Sequence, residues 1–256
     1  MSAPRDTGAP ALDEAAIWQL VEFGPYEADL PLWRELAGEA SGPVLELGAG
    51  AGRVTLDLAG RGAEVFAVEH DPDLISRLES ELAERGLAAE VIGADLSSPA
   101  DLHLPAPAAL AIAPLHLIQI LDAAARPAVL GRLPELMAPG ATVALTIVDE
   151  STLLSADAAS PQILPDMREL DGWVYSSEPL WVQVGDNALT IRRLRERVSP
   201  GGEIERTVQD DVLHRVSPER LELEAEQAGM HPAGRRQVSG GPNEADSIAI
   251  LLEVPA

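Results

Sequence analysis

Apolar and polar residues recur along this chain with two different periods. Leu32, Leu36 and Ala40 stand four apart behind Pro31, which predicts a helix, because residues four apart share a helical face and proline fits a first turn. Ala16, Ile17, Leu20 and Val21 predict an earlier helix that Asp13 can cap and that ends near Val21. From residue 44 onward short apolar runs take over. Val44–Leu47, Glu64–Val68, Ala89–Ile92, Ala108–Ala113 and Ala141–Val148 read as strands. Helical patterns separate them: Arg53–Ala59, then a stripe of Leu74, Ile75, Leu78 and Leu82 opened by Asp71-Pro72 and closed at Gly86. A third helix should run to about Met137, kinked or restarted at Pro134, before Pro139-Gly140 turns the chain into the fifth strand. Strand and helix in alternation imply parallel strands joined by right-handed crossovers.

After Asp149 the texture changes. Residues 150–178 read as irregular, and three segments of strand length follow: Leu180–Val184, Ala188–Val198 and Ile204–Val216. Ser199-Pro200-Gly201-Gly202 marks a hairpin turn between the last two. Ser217-Pro218 opens a helix carrying Leu221, Ala225 and Ala228, and strands near Ala233–Val238 and Ser247–Val254 finish the chain. The expected architecture is α/β: a doubly wound, Rossmann-like, mostly parallel seven-stranded sheet with N-terminal helices and an antiparallel β insert. The expected boundaries are a helical cap at 1–40, a nucleotide-type core at 41–149, the insert at 150–216 and a closing helix with two strands at 217–256. Residues 1–10 carry no periodic pattern and are expected to be disordered.

Composition narrows the chemistry. There is no cysteine, which removes disulfides, thiol nucleophiles and cysteine-ligated metals. All 18 basic residues are arginine, so Schiff-base chemistry and a lysine-bearing phosphate loop are also excluded. A net charge of −24 makes nucleic acid an unlikely partner, since binding there comes from basic residues that displace counterions. No apolar run reaches the roughly 18 residues of a spanning helix, and the first ten residues lack the apolar core of a signal peptide. The expectation is a soluble cytoplasmic protein with a small-molecule substrate, no nucleic acid and no membrane. Oligomeric state is not legible, and a homodimer is one arrangement open to it. Adjacent pairs Asp149-Glu150 and Asp210-Asp211 would point to opposite faces of a strand, and no spaced histidine pair occurs, so no metal site is expected.

The first strand runs straight into Gly48-Ala49-Gly50-Ala51-Gly52. A dinucleotide turn has spacing G-x-G-x-x-G, whose third glycine would fall on Arg53. Glu46, two residues before the first glycine, would repel a pyrophosphate and attract an ammonium group. Glu46-x-Gly48-x-Gly50-x-Gly52 resembles the first motif of class I S-adenosylmethionine-dependent methyltransferases of the small-molecule type. The resemblance implies a final antiparallel strand in the sheet, and that Glu46, Gly48, Ala49, Gly50 and Gly52 hold the methionine end of S-adenosyl-L-methionine. Glu69, 21 residues after Gly48, stands where doubly wound folds set an acid against ribose hydroxyls. By the same resemblance His70 packs on adenine, Asp95 and Leu96 contact its edge, and Ala113 lies nearest the transferred methyl. Ala113-Pro114 departs from subgroups that place an acid or amide there, which counts against DNA and glutamine methylation.

Methyl transfer from a sulfonium chiefly needs alignment and exclusion of water, with a base only where the nucleophile must lose a proton. His116, just beyond the fourth strand, is the first candidate base and His214 the next; the resemblance makes Tyr26, grouped with the catalytic candidates, and Trp33 candidates for a lid, with Trp33 favoured as core, and a structural role for each stays open. Arg192, Arg193, Arg195, Arg197 and Arg206 read either as a clamp for an anionic substrate group or as cross-strand partners of neighbouring acids, and the second is favoured. Trp173, Tyr175 and Trp181 read as an acceptor wall or as an anchor for the insert. The functional expectation is methylation of a secondary-metabolite-like O or N acceptor. The alternatives are a cofactor-binding protein with a pericyclic, decarboxylating or regulatory role, and a nicotinamide oxidoreductase.

Overall fold

The computed structural model describes residues 14–151, 164–240 and 245–256, so the expectations for residues 1–10 and Asp13 fall outside it. Helices α1 (Glu14–Glu22) and α2 (Leu30–Glu39) precede the first strand. Then come β1 (Val44–Leu47), α3 (Arg53–Ala59), β2 (Val65–Glu69), α4 (Pro72–Arg85), β3 (Glu90–Gly93) and β4 (Ala108–Ala113). Helices α5 (Leu117–Ile120) and α6 (Ala125–Leu136) lead into β5 (Met137–Val148). The remaining strands are β6 (Asp166–Leu170), β7 (Trp173–Val184), β8 (Ala188–Val198) and β9 (Ile204–His214). Helix α7 (Pro218–Gln227), β10 (His231–Val238) and β11 (Ser247–Glu253) close the chain.

Seven strands form one sheet in the order β10-β11-β5-β4-β1-β2-β3. Pairs from β3 to β5 are parallel, while β11 runs antiparallel between β5 and β10. The mostly parallel sheet is as the sequence pattern implies, and its antiparallel strand is as the resemblance implies. Its central strands are buried on both faces because helices cover both. One core packs Leu45, Leu47 and Phe66 against α6 and α7; the other packs Val44, Val65 and Ala67 against α2, α3 and α4. The order reverses between β1 and β4, and that switch point opens a crevice beyond the carboxyl ends of the strands.

The second sheet, β6-β7-β8-β9, is wholly antiparallel. It has four strands, whereas the pattern predicts three and irregular chain from 150 to 178. Asp166–Leu170 reads DMREL, with no apolar alternation, and becomes a strand because its ladder pairs with the first residues of β7. The single helix expected up to Met137 is two, because Asp122 Oδ1 accepts the amide protons of Ala124 and Ala125 at 2.8 Å each and starts α6 afresh. Pro139-Gly140 is no turn: β5 passes through it with Gly140 at φ 75° and a register shift opposite β4. The insert sheet is fastened to α1. Trp18 meets the Tyr175 ring edge-on, and buried Glu22 accepts two bonds from Arg195 and one from the Ser177 hydroxyl, all at 2.7 Å.

Candidate functional site

The turn after β1 is built from glycines at positive φ, 66° at Gly48, 58° at Gly50 and 90° at Gly52, where side chains are strained. The space a Cβ would need is already taken by the protein itself. Leu117 would lie 2.7 Å from it at Gly48, Gln19 2.3 Å at Gly50 and Leu78 2.3 Å at Gly52. Gly52 therefore serves close packing of α3 on α4, and Gly50 serves the approach of α1.

Beneath the turn, Glu46 is buried and accepts the Thr55 hydroxyl proton at 2.5 Å. Burial pushes its carboxyl up to about 8, against a smaller opposing pull from Thr55 and Arg53. The carboxylate that the sequence sets out for an ammonium group is thus a neutral acid at pH 7 until a cation arrives. Glu69 ends β2 and is buried too. One oxygen accepts the Gly50 amide at 2.8 Å, and the other accepts those of His70 and Asp71 at 2.8 and 3.0 Å. The acid at the second strand end thereby fixes the glycine turn to β2. The exposed His70 ring touches the same carboxylate. Asp95, after β3, accepts from the Ser97 amide and hydroxyl at 2.7 Å each, and these bonds hold its carboxyl below the usual range.

These features face one cleft of about 990 Å³. Glu46, Gly48, Ala49, Glu69, His70, Asp95 and Leu96 line it, joined by Gln19 and Leu20 from α1, by Phe23 just after it, and by Pro114, Leu115 and Leu117 from beyond β4. Gly50, Gly52 and Ala113 do not; Ala113 is fully buried and its carbonyl accepts the Thr146 hydroxyl at 3.0 Å.

The three candidate catalytic side chains are placed elsewhere. Tyr26 and His116 meet around a separate cavity of about 10 Å³, with Asp29, Thr146 and Ser247. His116 Nε2 lies 2.7 Å from Ser247 Oγ, and burial holds its imidazole down at about 4. Leu115 and His116 are both left-handed, at φ 50° and 60°, a strained pair pinned where the His116 amide donates to Thr146 Oγ1 at 3.2 Å. The Tyr26 hydroxyl donates to the Ser239 carbonyl at 3.4 Å. His214 ends β9, where its carbonyl accepts from Gln119, and it lines neither cavity. The structure thus sets His116, Tyr26 and His214 outside the main cleft.

Residues 44–140 match a protein family described as a methyltransferase domain. This segment is a methyltransferase domain. The fold superposes on an S-adenosylmethionine-dependent methyltransferase from Clostridium acetobutylicum with a TM-score of 0.70, at 14% identity, covering 94% of this chain and 98% of that one. A sugar N-methyltransferase from Streptoalloteichus gives a TM-score of 0.68 at 15% identity, over 98% and 97% of the two chains. At such identities the likeness is one of fold. A ribosomal RNA small subunit methyltransferase A from Anaeromyxobacter dehalogenans is 52% identical over 52 residues, which span 20% of this chain and 18% of that protein.

Several groups that shape the methyltransferase cleft carried no sequence signal. Arg53, directly after the glycine turn, forms a bidentate pair with Asp29 at 2.6 and 2.7 Å, and Asp29 also accepts from Trp33 Nε1 at 2.8 Å. This triad joins the loop before α2 to the start of α3. The hairpin arginines are not a clamp: Arg192 pairs with Asp210, Arg197 with Glu205, Arg206 with Glu196, Arg193 with Asp211 and Arg195 with Glu22. Tyr175 is buried against α1, which makes it an anchor, and half-exposed Trp181 lies under Arg192. Among the described residues no cluster of His, Asp or Glu has metal-ligand geometry, and no helix is long and apolar enough to cross a membrane.

Proposed function

We propose that this chain transfers the methyl group of S-adenosylmethionine to an oxygen or nitrogen of a small molecule. The observation that carries the reading is that the acids at three successive strand ends, Glu46, Glu69 and Asp95, all open with the glycine turn on one cleft. The residues fit the cofactor. A carboxylate has about four acceptor positions, so Glu69 Oε2 keeps capacity for a ribose hydroxyl beside the Gly50 amide. The cleft volume suits a nucleoside ligand with an acceptor beside it. When bound, the cofactor supplies an electrophilic methyl on a sulfonium.

The chain's own part is alignment and exclusion of water. Leu115, Leu117 and Pro114 form an apolar wall, and α1 covers the turn from above. His116 stays neutral at pH 7, but a base held at about 4 takes protons poorly there. That favours an acceptor that arrives with a free lone pair, such as an unprotonated amine, and it accords with the sugar N-methyltransferase among the structural neighbours. The same low basicity supports a second reading, cofactor binding without methylation.

A thermal shift with S-adenosylhomocysteine, S-adenosylmethionine and NADH side by side tests the cofactor. A ligand at ~100 times its Kd stabilises by about 2.7 kcal/mol. The two sulfur ligands should stabilise the protein and NADH should not. S-Adenosylhomocysteine release with an amine panel then separates transfer from mere binding; no release with any acceptor favours the second reading.

A further inference from the structure

The sequence has 42 acidic residues and 18 arginines, so a guanidinium without a carboxylate partner is unexpected. Every other described arginine is ion-paired, including Arg34, Arg53, Arg61, Arg77 and Arg85 in the cleft wall, which face Asp57, Asp29 and Glu81. Among the described residues only Arg168, on β6, makes no ion pair. It also lines the cleft. Its Nη1 donates to the Leu20 carbonyl of α1 at 3.0 Å, so the side chain is aimed by a backbone oxygen that leaves its charge uncompensated. Gly24 makes room for it: a Cβ there would lie 2.9 Å from Nη1.

From this placement we infer that Arg168 receives a carboxylate of a ligand bound in the cleft. The inference rests on the cofactor reading above and adds to it a specificity-determining residue from the insert. The other arginines of the cleft wall are taken up by carboxylates, while Glu27, Glu69 and Asp95 there have no arginine partner among the described residues, which suits a sulfonium or an ammonium. A carboxylate entering the same cleft gains little beside arginines that are already paired, whereas an unpaired cation offers it a free partner. A guanidinium presents a planar fork of donors that matches a carboxylate, and one bond to Leu20 leaves most of that fork available. Two carboxylates are in question, that of the cofactor's amino-acid end and one on the acceptor.

The test is calorimetric titration of wild type, Arg168→Gln and Arg168→Lys with S-adenosylhomocysteine and with 5′-methylthioadenosine, which keeps the nucleoside and thioether and lacks the amino-acid end. If the cofactor supplies the carboxylate, Arg168→Gln weakens S-adenosylhomocysteine by roughly tenfold or more, leaves methylthioadenosine unchanged, and Arg168→Lys recovers part of the loss. If the acceptor supplies it, both adenosyl ligands bind the variant normally, and benzoate binds S-adenosylhomocysteine-saturated wild type but not saturated Arg168→Gln. Equal weakening of both adenosyl ligands would show that Arg168 only seats α1, and would overturn the inference. So would unchanged adenosyl affinities with no difference in benzoate binding. Wild type that binds neither adenosyl ligand would instead sink the cofactor reading itself.

Discussion

Glu46 is the residue whose chemistry the fold changes most. Its carboxyl titrates near 4.5 when solvated and at about 8 when buried here. The folded state therefore holds more protons than the unfolded state between those values, and stability falls as pH rises through that window. His116 acts with the opposite sign: its imidazole moves from 6.5 down to about 4, so stability falls as pH drops through that range. Above pH 6.5 only Glu46 contributes of the two. Glu46→Gln should thus be more stable than wild type at pH 8, by on the order of a few kcal/mol, and should match it near pH 4.5. Thermal melts across pH 4.5–8 check this, and parallel curves for the two proteins would show that Glu46 is ionised in the native state. A cationic amino-acid end seated over Glu46 should also expel its proton. Titration of S-adenosylhomocysteine at pH 7 in buffers of different ionisation enthalpy should then report release of close to one proton.

At the scale of elements, α1 is the connecting piece. One of its sides reaches the glycine turn, where Gln19 Oε1 lies 3.4 Å from the Ala51 amide nitrogen, and another carries Glu22 and Trp18 into the insert sheet. Glu22 accepts three bonds while almost fully buried, so its removal strands a guanidinium and a hydroxyl. Glu22→Ala should cost about 3 kcal/mol, a fall in Tm of roughly 6–12 °C at this chain length. Scanning calorimetry measures it, and a loss under about 1 kcal/mol would mean that the apolar contact of Trp18 with Tyr175 holds α1 unaided. Helix α1 itself was legible from its apolar stripe. Its attachment was not, because a helix pattern shows which face is buried and not what buries it. The same holds for β6, whose polar sequence is made a strand by its partner β7.

For the whole molecule the governing quantity is a charge of −24. Among the described residues the arginines are nearly all ion-paired, which lowers the basic charge free to meet a phosphate backbone. The short match to a ribosomal RNA methyltransferase makes this worth testing. No complex with small-subunit ribosomal RNA is expected in a mobility-shift assay at roughly physiological salt. A retarded band at micromolar protein would replace the small-molecule acceptor with RNA.

The sequence by itself determined the alternating αβ core, the glycine turn and the acids at the carboxyl ends of β1, β2 and β3. Those are local features, fixed by period, by backbone freedom at glycine and by position at a strand end, and each is readable from a few neighbouring residues. Only the tertiary structure decided what those groups face. It set Glu46 in a buried, uncharged state, gave Glu69 to the Gly50 amide, and turned His116 toward Ser247 and away from the main cleft. It also paired the hairpin arginines and left Arg168 unpaired in the cleft wall. Protonation, pairing and access depend on distance and burial between segments far apart in the chain, and linear order carries neither.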